Sequence, residues 1–142
     1  MEIDVNGVKI TLTFTQSQLE EISRQTSRFK SYKDIKTFED ACDVLNINQE
    51  LLFLVSDNKN EIAYKKLKTI IKALNEGWYP NWENQNERKY YNYFTMRGGF
   101  SSYATAYNDT NTSVPSALCL KSNELAEYAA KIAFKEYNEY YK

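Results

Sequence analysis

Ten of the 21 aromatic residues in this chain (2 Trp, 12 Tyr and 7 Phe) fall within residues 78–107, among Asn, Ser, Thr and Gly. The ten are Trp78, Tyr79, Trp82, Tyr90, Tyr91, Tyr93, Phe94, Phe100, Tyr103 and Tyr107. One face of a small sheet cannot bury this much ring surface, so we expect part of it to be presented to a partner.

Length and composition favour one domain. At 142 residues the chain is long enough for a single hydrophobic core, and its 42% hydrophobic and 26% charged residues are ordinary for a globular protein. We divide the domain, residues 1–142, into a hairpin and helix over 1–36, a helical segment over 37–77, and an aromatic hairpin with a final helix over 78–142. The predicted fold class is α+β.

The N-terminal residues alternate between polar and apolar side chains on both sides of Asn6-Gly7, a pair typical of tight hairpin turns. Residues 2–14 are therefore predicted to form a two-stranded β-hairpin.

A helix capped by Thr15 is predicted over residues 16–25, with Leu19 and Ile22 facing inward. Residues 26–36 are predicted to form a loop.

Two shorter patterns follow. Thr37 with Asp40 three residues later resembles a capping box, and apolar residues at helical spacing continue as far as Leu45. The apolar run of residues 49–55 fits a short buried helix or a strand, and we favour the helix.

The clearest helix is predicted to begin at a cap on Asn60 and to end at Gly77, where a left-handed residue belongs. Its apolar stripe comprises Ala63, Leu67, Ile70, Ile71 and Leu74.

The aromatic segment is predicted to form a second antiparallel hairpin. Its strands are residues 88–96 and 100–107, joined by a turn at Arg97-Gly98-Gly99. A short buried strand is predicted over residues 117–120. A long final helix capped by Ser122 is predicted to pack against the hairpin.

The sequence contains no histidine, which removes the imidazole group as a general base and as a metal ligand. Ser–His and Cys–His catalytic pairs are excluded for the same reason. The acidic clusters fall on predicted helix surfaces, where solvated carboxylates are expected. We therefore expect a non-enzymatic protein without a metal or any other cofactor.

Two features bear on the cellular compartment. No apolar run approaches the roughly 18 residues that span a bilayer, and the N-terminus lacks a secretory signal pattern. Cys42 and Cys119 lack the close spacing of a zinc or redox pair, so we expect two buried, reduced thiols. The expectation is a soluble protein of the bacterial cytoplasm with no membrane partner.

The net charge of −1 hides an asymmetry. Residues 1–63 carry seven Lys/Arg against eleven Asp/Glu, whereas residues 64–142 carry eleven against eight. This mild basic excess is too small for binding duplex DNA through many phosphates.

Lys65, Lys68 and Lys72 follow i, i+3, i+7 spacing on the helix face away from the apolar stripe, and we call them the basic ridge. One interpretation is an ordinary solvated helix face. In the other, the ridge contacts phosphates or an acidic protein surface, assisted by cations near the aromatic hairpin. Those cations are Arg88, Lys89 and Arg97.

Strand alternation is predicted to leave four tyrosines on the outer face of the aromatic hairpin. We call them the tyrosine platform: Tyr91, Tyr93, Tyr103 and Tyr107. Phe94 and Phe100 are predicted to pack inward. Tyrosine suits protein recognition or the stacking of unpaired bases, while cross-strand pairing that only stabilises the hairpin is a third interpretation. Trp78, Trp82 and Arg97 are grouped with the platform as partner-binding residues.

Three stretches resemble a module in uncharacterised small proteins of bacteriophages and prophages. They are Asn75-Glu76-Gly77-Trp78-x-Pro80-x-Trp82, the strand from Tyr90 to Phe94, and Leu118-Cys119-Leu120-Lys121-Ser122-x-Glu124-Leu125-Ala126-Glu127-Tyr128-Ala129. The resemblance covers roughly residues 60–142. It implies a phage origin and carries no established activity.

A phage origin favours an inhibitor of a host defence nuclease, of the anti-CRISPR type, as the leading hypothesis. The acidic N-terminal half, the tyrosine platform or both would then cover a basic nucleic-acid-handling surface of a CRISPR effector or another nuclease. The alternative is a single-stranded RNA- or DNA-binding accessory protein. A virion or assembly component is a second alternative. The sequence leaves the partner and the oligomeric state open.

Overall fold

A computed structural model describes residues 2–5, 8–11, 13–101 and 103–142. The chain divides into two compact units, Met1–Lys30 and Ser31–Lys142. Each unit combines helix with one antiparallel pair of strands, which confirms the predicted α+β class.

The first unit opens with a hairpin. Strands β1 (Glu2–Val5) and β2 (Val8–Thr11) pair in antiparallel fashion, as predicted. The predicted turn residues Asn6-Gly7 lie outside the described residues.

Helix α1 (Gln16–Arg28) follows and begins at the predicted cap. The Thr15 hydroxyl accepts a hydrogen bond from the Gln18 N–H, and the Gln18 side chain accepts one from the Thr15 N–H at 2.8 Å. The helix extends three residues further than predicted. Leu19 and Ile22 are each 47% exposed, so the prediction that both face inward is wrong. A two-stranded hairpin offers too little apolar surface to cover a helix face.

The second unit begins with a short capped helix, α2 (Phe38–Leu45). The predicted capping box is present: the Thr37 hydroxyl accepts from the Asp40 N–H at 3.1 Å, and Asp40 Oδ2 accepts from the Thr37 N–H at 3.1 Å. Phe38 and Cys42 are buried and attach this helix to the core.

The segment after α2 differs from its prediction. Only Gln49–Leu51 forms a turn of 3-10 helix, and Leu54 and Val55 are exposed. The Asp57 carboxylate accepts a hydrogen bond from the Leu54 N–H at 2.7 Å and turns the chain toward the next helix. The predicted buried helix over residues 49–55 is therefore wrong, because this side-chain-to-backbone bond replaces the helical one.

Helix α3 (Lys59–Leu74) is the centre of the core, and all five residues of its predicted apolar stripe are buried. Its cap is Asn58 rather than the predicted Asn60. Asn58 Oδ1 accepts from the Glu61 N–H at 3.0 Å, while the Glu61 carboxylate accepts from the Asn58 N–H at 2.7 Å. Asn60 instead donates to the backbone oxygen of Tyr140. Helix α2 packs against α3.

The predicted second hairpin is present as β3 (Lys89–Phe94) and β4 (Tyr103–Asn108). Its turn contains Gly98 and Gly99, whose φ angles of 76° and 115° lie in the left-handed region that favours glycine. Phe94 and Phe100 stack with ring centroids 4.5 Å apart, as expected for inward-facing residues.

The predicted strand over residues 117–120 is reduced to one bridge. The Tyr90 N–H donates to the Leu120 oxygen at 3.0 Å, and the Leu120 N–H donates back at 2.8 Å. Ser116–Leu118 form a 3-10 turn, so these residues do not pair with β3.

The predicted long final helix is two helices. Helices α4 (Asn123–Ile132) and α5 (Phe134–Tyr141) meet at Ala133, whose φ and ψ of −108° and 22° are not helical. Helix α4 packs on the second hairpin, as predicted, whereas α5 packs along α3. None of the helices in the described ranges has the length and apolar character needed to cross a membrane.

Candidate functional site

A cleft of about 620 Å³ lies beside α3 in the second unit. Its lining combines lysines, aromatic rings and a few apolar side chains: Ile47, Leu52, Lys65, Lys68, Thr69, Ile71, Lys72, Asn75, Gly77, Trp78, Tyr79, Pro80, Ser116 and Ala117. A volume of this size is within the range of about 300–1,000 Å³ that is typical of ligand pockets.

The turn after α3 places aromatic residues beside the lysines. Glu76 and Gly77 both have a left-handed backbone, with φ angles of 50° and 86°. The Trp78 N–H donates to the backbone oxygen of Asn75 at 2.9 Å. The predicted left-handed glycine is therefore present, and Glu76 shares its conformation. The chain reverses at once, so Trp78, Tyr79 and the buried Pro80 form one wall of the cleft, which we call the aromatic wall.

The three residues of the basic ridge also line the cleft. The Lys65 ammonium lies 2.5 Å from Asp57 Oδ2, and this hydrogen bond lowers the pKa of the Asp57 carboxyl. In the part of the chain that the structure describes, neither Lys68 nor Lys72 has an ion pair. The Lys68 ammonium instead lies 5.0 Å from the centroid of the Tyr64 ring.

The charges of the cleft are not balanced within it. Lys68 and Lys72 are four residues apart on one helix face, where two like charges cost about 0.2–0.5 kcal/mol. Among the lining residues that the structure describes there is no Asp or Glu. The cleft is therefore suited to an anionic ligand.

The two rings of the aromatic wall differ in exposure. Trp78 is half-buried, and its indole N–H donates to Glu87 Oε2 at 3.4 Å. Tyr79 is 68% exposed, so much of its side chain is open to a ligand. The sequence predicts a partner-binding role for Trp78 but not for Tyr79. The feature of the sequence that indicates Tyr79 is its position between Trp78 and Pro80, directly after the left-handed turn.

The tyrosine platform does not form, because the hairpin register divides its members. Tyr91 and Tyr93 pair with alanines of β4 and lie on one face. Tyr103 and Tyr107 pair with residues on the opposite face, which includes Phe94 and packs toward α5. A single surface cannot contain all four side chains, so the prediction of one outer platform is wrong.

The cations near the hairpin do not extend the basic ridge as a group. Lys89 is fully buried and cannot reach a ligand in solution, which contradicts its predicted role in assisting the ridge. The Arg88 guanidinium lies 4.4 Å from the centroid of the Tyr107 ring, and Arg97 is exposed in the hairpin turn. Neither arginine lines the cleft.

Trp82 has a structural partner. Its indole N–H donates to Ser116 Oγ at 3.0 Å, and Ser116 lines the cleft. Trp82 thus connects the loop after the aromatic wall to the 3-10 turn that lines the cleft.

Metal and thiol chemistry receive little support from the described residues. They contain no group of three or more His, Cys, Asp or Glu side chains that could hold a metal ion. Cys42 and Cys119 are buried and unbridged, as predicted, and burial raises the pKa of both thiols. No family model, curated protein or solved structure is significantly similar to this chain.

Proposed function

We propose that this protein is a non-enzymatic, single-stranded nucleic-acid-binding protein and that the cleft is its binding site. Phosphates would lie against Lys68 and Lys72, and unpaired bases would stack on the rings of Tyr79 and Trp78. The observation that supports this most directly is the lining: three lysines, two large aromatic side chains and, among the described residues, no carboxylate.

The two halves of this lining suit the two chemical parts of a nucleotide. Neutralising phosphates requires cations and makes affinity depend on salt. Stacking on an aromatic ring is worth about 1–3 kcal/mol per base and tolerates any base. Bases inside a duplex are stacked on each other, whereas those of single strands can be splayed into a cleft. This difference favours single strands.

The test measures fluorescence anisotropy of labelled unstructured DNA and RNA oligonucleotides over a range of salt concentrations. The double variant Lys68→Gln/Lys72→Gln removes two phosphate contacts. We expect weaker binding and a loss of about 0.7 per contact from the slope of log K against log [salt]. The matched control is Lys131→Gln/Lys135→Gln, which removes two exposed lysines outside the cleft.

The control should retain the slope and affinity of the wild-type protein. Equal loss in both double variants would mean that only net charge matters and that the cleft is not the site. Failure of the wild-type protein to bind any oligonucleotide at low salt would remove the proposed function.

A second candidate function is the inhibition of a host defence nuclease, such as a CRISPR effector. Leu51 is 82% exposed and Val55 is fully exposed, and a protein partner would bury exposed aliphatic side chains of this kind. Binding of a nucleic acid would not explain the exposure of these two aliphatic side chains. This candidate does not require the divided tyrosine platform.

Its test is copurification with a defined effector nuclease, followed by measurement of the nuclease activity. Leu51→Asp/Val55→Asp should abolish the complex and restore cleavage, and the control is Leu19→Asp, which changes an exposed leucine of the first unit. A wild-type protein that neither copurifies nor inhibits any effector tested would exclude this function.

A further inference from the structure

Lys89 is the one fully buried cation among the described residues, and its contacts define what it does. Its ammonium donates to the backbone oxygen of Asn84 at 2.8 Å and to the backbone oxygen of Glu87 at 2.6 Å. It also lies 5.5 Å from the centroid of the Trp82 ring. An ammonium buried without partners is strongly unfavourable, so it is tolerated here because the loop between β3 and the aromatic wall surrounds it with acceptors.

The Glu87 side chain binds the other end of the same loop. Its Oε1 accepts from the Asn81 N–H at 2.8 Å, and its Oε2 accepts from the Trp78 indole at 3.4 Å. The same carboxylate lies 3.6 Å from the Lys89 ammonium. One carboxylate thus connects the tryptophan of the cleft, the residue after Pro80 and a buried cation.

Lys89 and Glu87 do not line the cleft, so they would contact no ligand held there. Glu87 contacts the aromatic wall at the Trp78 indole, and Lys89 reaches it through Glu87. The Trp78 indole has a single N–H, and its bond to Glu87 restricts how the ring can turn. Preorganised side chains bind more tightly because less conformational freedom is lost on binding.

We propose that Lys89 and Glu87 are positioning residues of the cleft, which hold the Trp78 ring in place for a stacked base. This inference rests on the proposed nucleic-acid-binding function. It assigns Lys89 a role through the loop and not through phosphate contact.

The experiment uses the full chain carrying Trp82→Phe, which leaves Trp78 as its single tryptophan. Into it we introduce Glu87→Ala, Glu87→Gln or Lys89→Met. For each variant we measure the emission of Trp78 and its quenching by acrylamide. We also measure the oligonucleotide affinity and the slope of log K against log [salt], which we call the salt slope. Glu87→Ala should make Trp78 more accessible to quencher and weaken binding about tenfold, the loss expected for one poorly placed stacking ring. Glu87→Gln, which retains an acceptor, should recover part of both effects.

The salt slope separates positioning from direct contact. Lys89→Met should weaken binding with an unchanged slope, whereas a phosphate-contacting lysine would lower the slope by about 0.7. If Lys89→Met does not fold, Glu87→Ala alone decides the inference.

Three outcomes overturn the proposal: a lowered slope in Lys89→Met, unchanged quenching in Glu87→Ala, or reduced stability with unchanged affinity of the folded protein. If the wild-type protein does not bind oligonucleotides, the proposed function fails. The quenching of Trp78 then still shows whether Glu87 and Lys89 hold the ring.

Discussion

Tyr93 and Tyr103 are near neighbours across the second hairpin, yet their side chains lie on opposite faces. The register pairs Tyr93 with Ala104 and Phe94 with Tyr103. Tyr93 is consequently 53% exposed, whereas the Tyr103 ring lies 6.3 Å from that of Phe94. The two tyrosines should therefore respond differently to the same substitution.

Tyr103→Ala is expected to lower the free energy of unfolding by about 1–3 kcal/mol, because it removes a ring that packs against the ring of Phe94. Tyr93→Ala removes a half-exposed ring and should cost less than about 1 kcal/mol. Urea denaturation of both variants checks the difference. Equal losses would mean that the register of the hairpin is not as described.

Asn75 should be important for stability although it lines the cleft. Its buried side chain donates to the Cys119 oxygen at 2.9 Å and accepts from the Lys121 N–H at 3.1 Å. Asn75→Ala leaves two backbone groups without partners, and we expect a loss of about 2–4 kcal/mol in thermal or urea unfolding. The control Asn86→Ala alters an exposed loop residue. A neutral Asn75→Ala would show that water replaces both bonds.

Asp57→Asn should strengthen oligonucleotide binding if the cleft is the site. The substitution releases Lys65 from its 2.5 Å ion pair, and the freed ammonium becomes available to a phosphate. We expect the salt slope to become steeper by up to about 0.7. Asp109→Asn makes the same change of charge outside the cleft, and a matching gain in that control would assign the effect to net charge.

Alkaline pH should destabilise the protein through Cys119. Burial raises the pKa of this thiol from 9.0 to about 11, although the charge of Lys89 partly opposes the shift. Because the folded state holds the proton more tightly than the unfolded state, this contribution to stability is complete below pH 9 and is lost as the pH rises through about 11.

The free energy of unfolding, measured by urea denaturation under reducing conditions, should therefore fall across that window. Cys119→Ala should remove part of the decline. The pKa of Tyr32, raised to about 12 by its hydrogen bond to Glu124, produces a separate decline between about pH 10 and 12. A profile unchanged by Cys119→Ala would contradict the assignment.

Local signals made parts of this fold predictable. The cap at Thr15 and the capping box at Thr37 depend on side chains within three residues, and the buried stripe of α3 depends only on helical periodicity. Both hairpins were recognisable from alternation and glycine-containing turns. These features require no knowledge of distant contacts.

The features that depend on tertiary contacts were not predictable in the same way. A shift of one residue in register exchanges the faces of a strand, and the loop between Phe94 and Tyr103 sets that register with two left-handed glycines. The sequence indicates the ridge lysines, but their place in one cleft with Tyr79 depends on the reversal after Asn75. The burial of Lys89 depends on loop oxygens that composition does not reveal.

The break at Ala133 has a consequence for the order in which the second unit can fold. It sends α5 back to α3, where the rings of Tyr64 and Tyr140 stack with centroids 5.2 Å apart across 76 residues of chain. During synthesis, α3 therefore leaves the ribosome long before α5 does. The core around α3 can close only after α5 has emerged, so a nascent chain stopped at Ala133 should still expose apolar surface to chaperones.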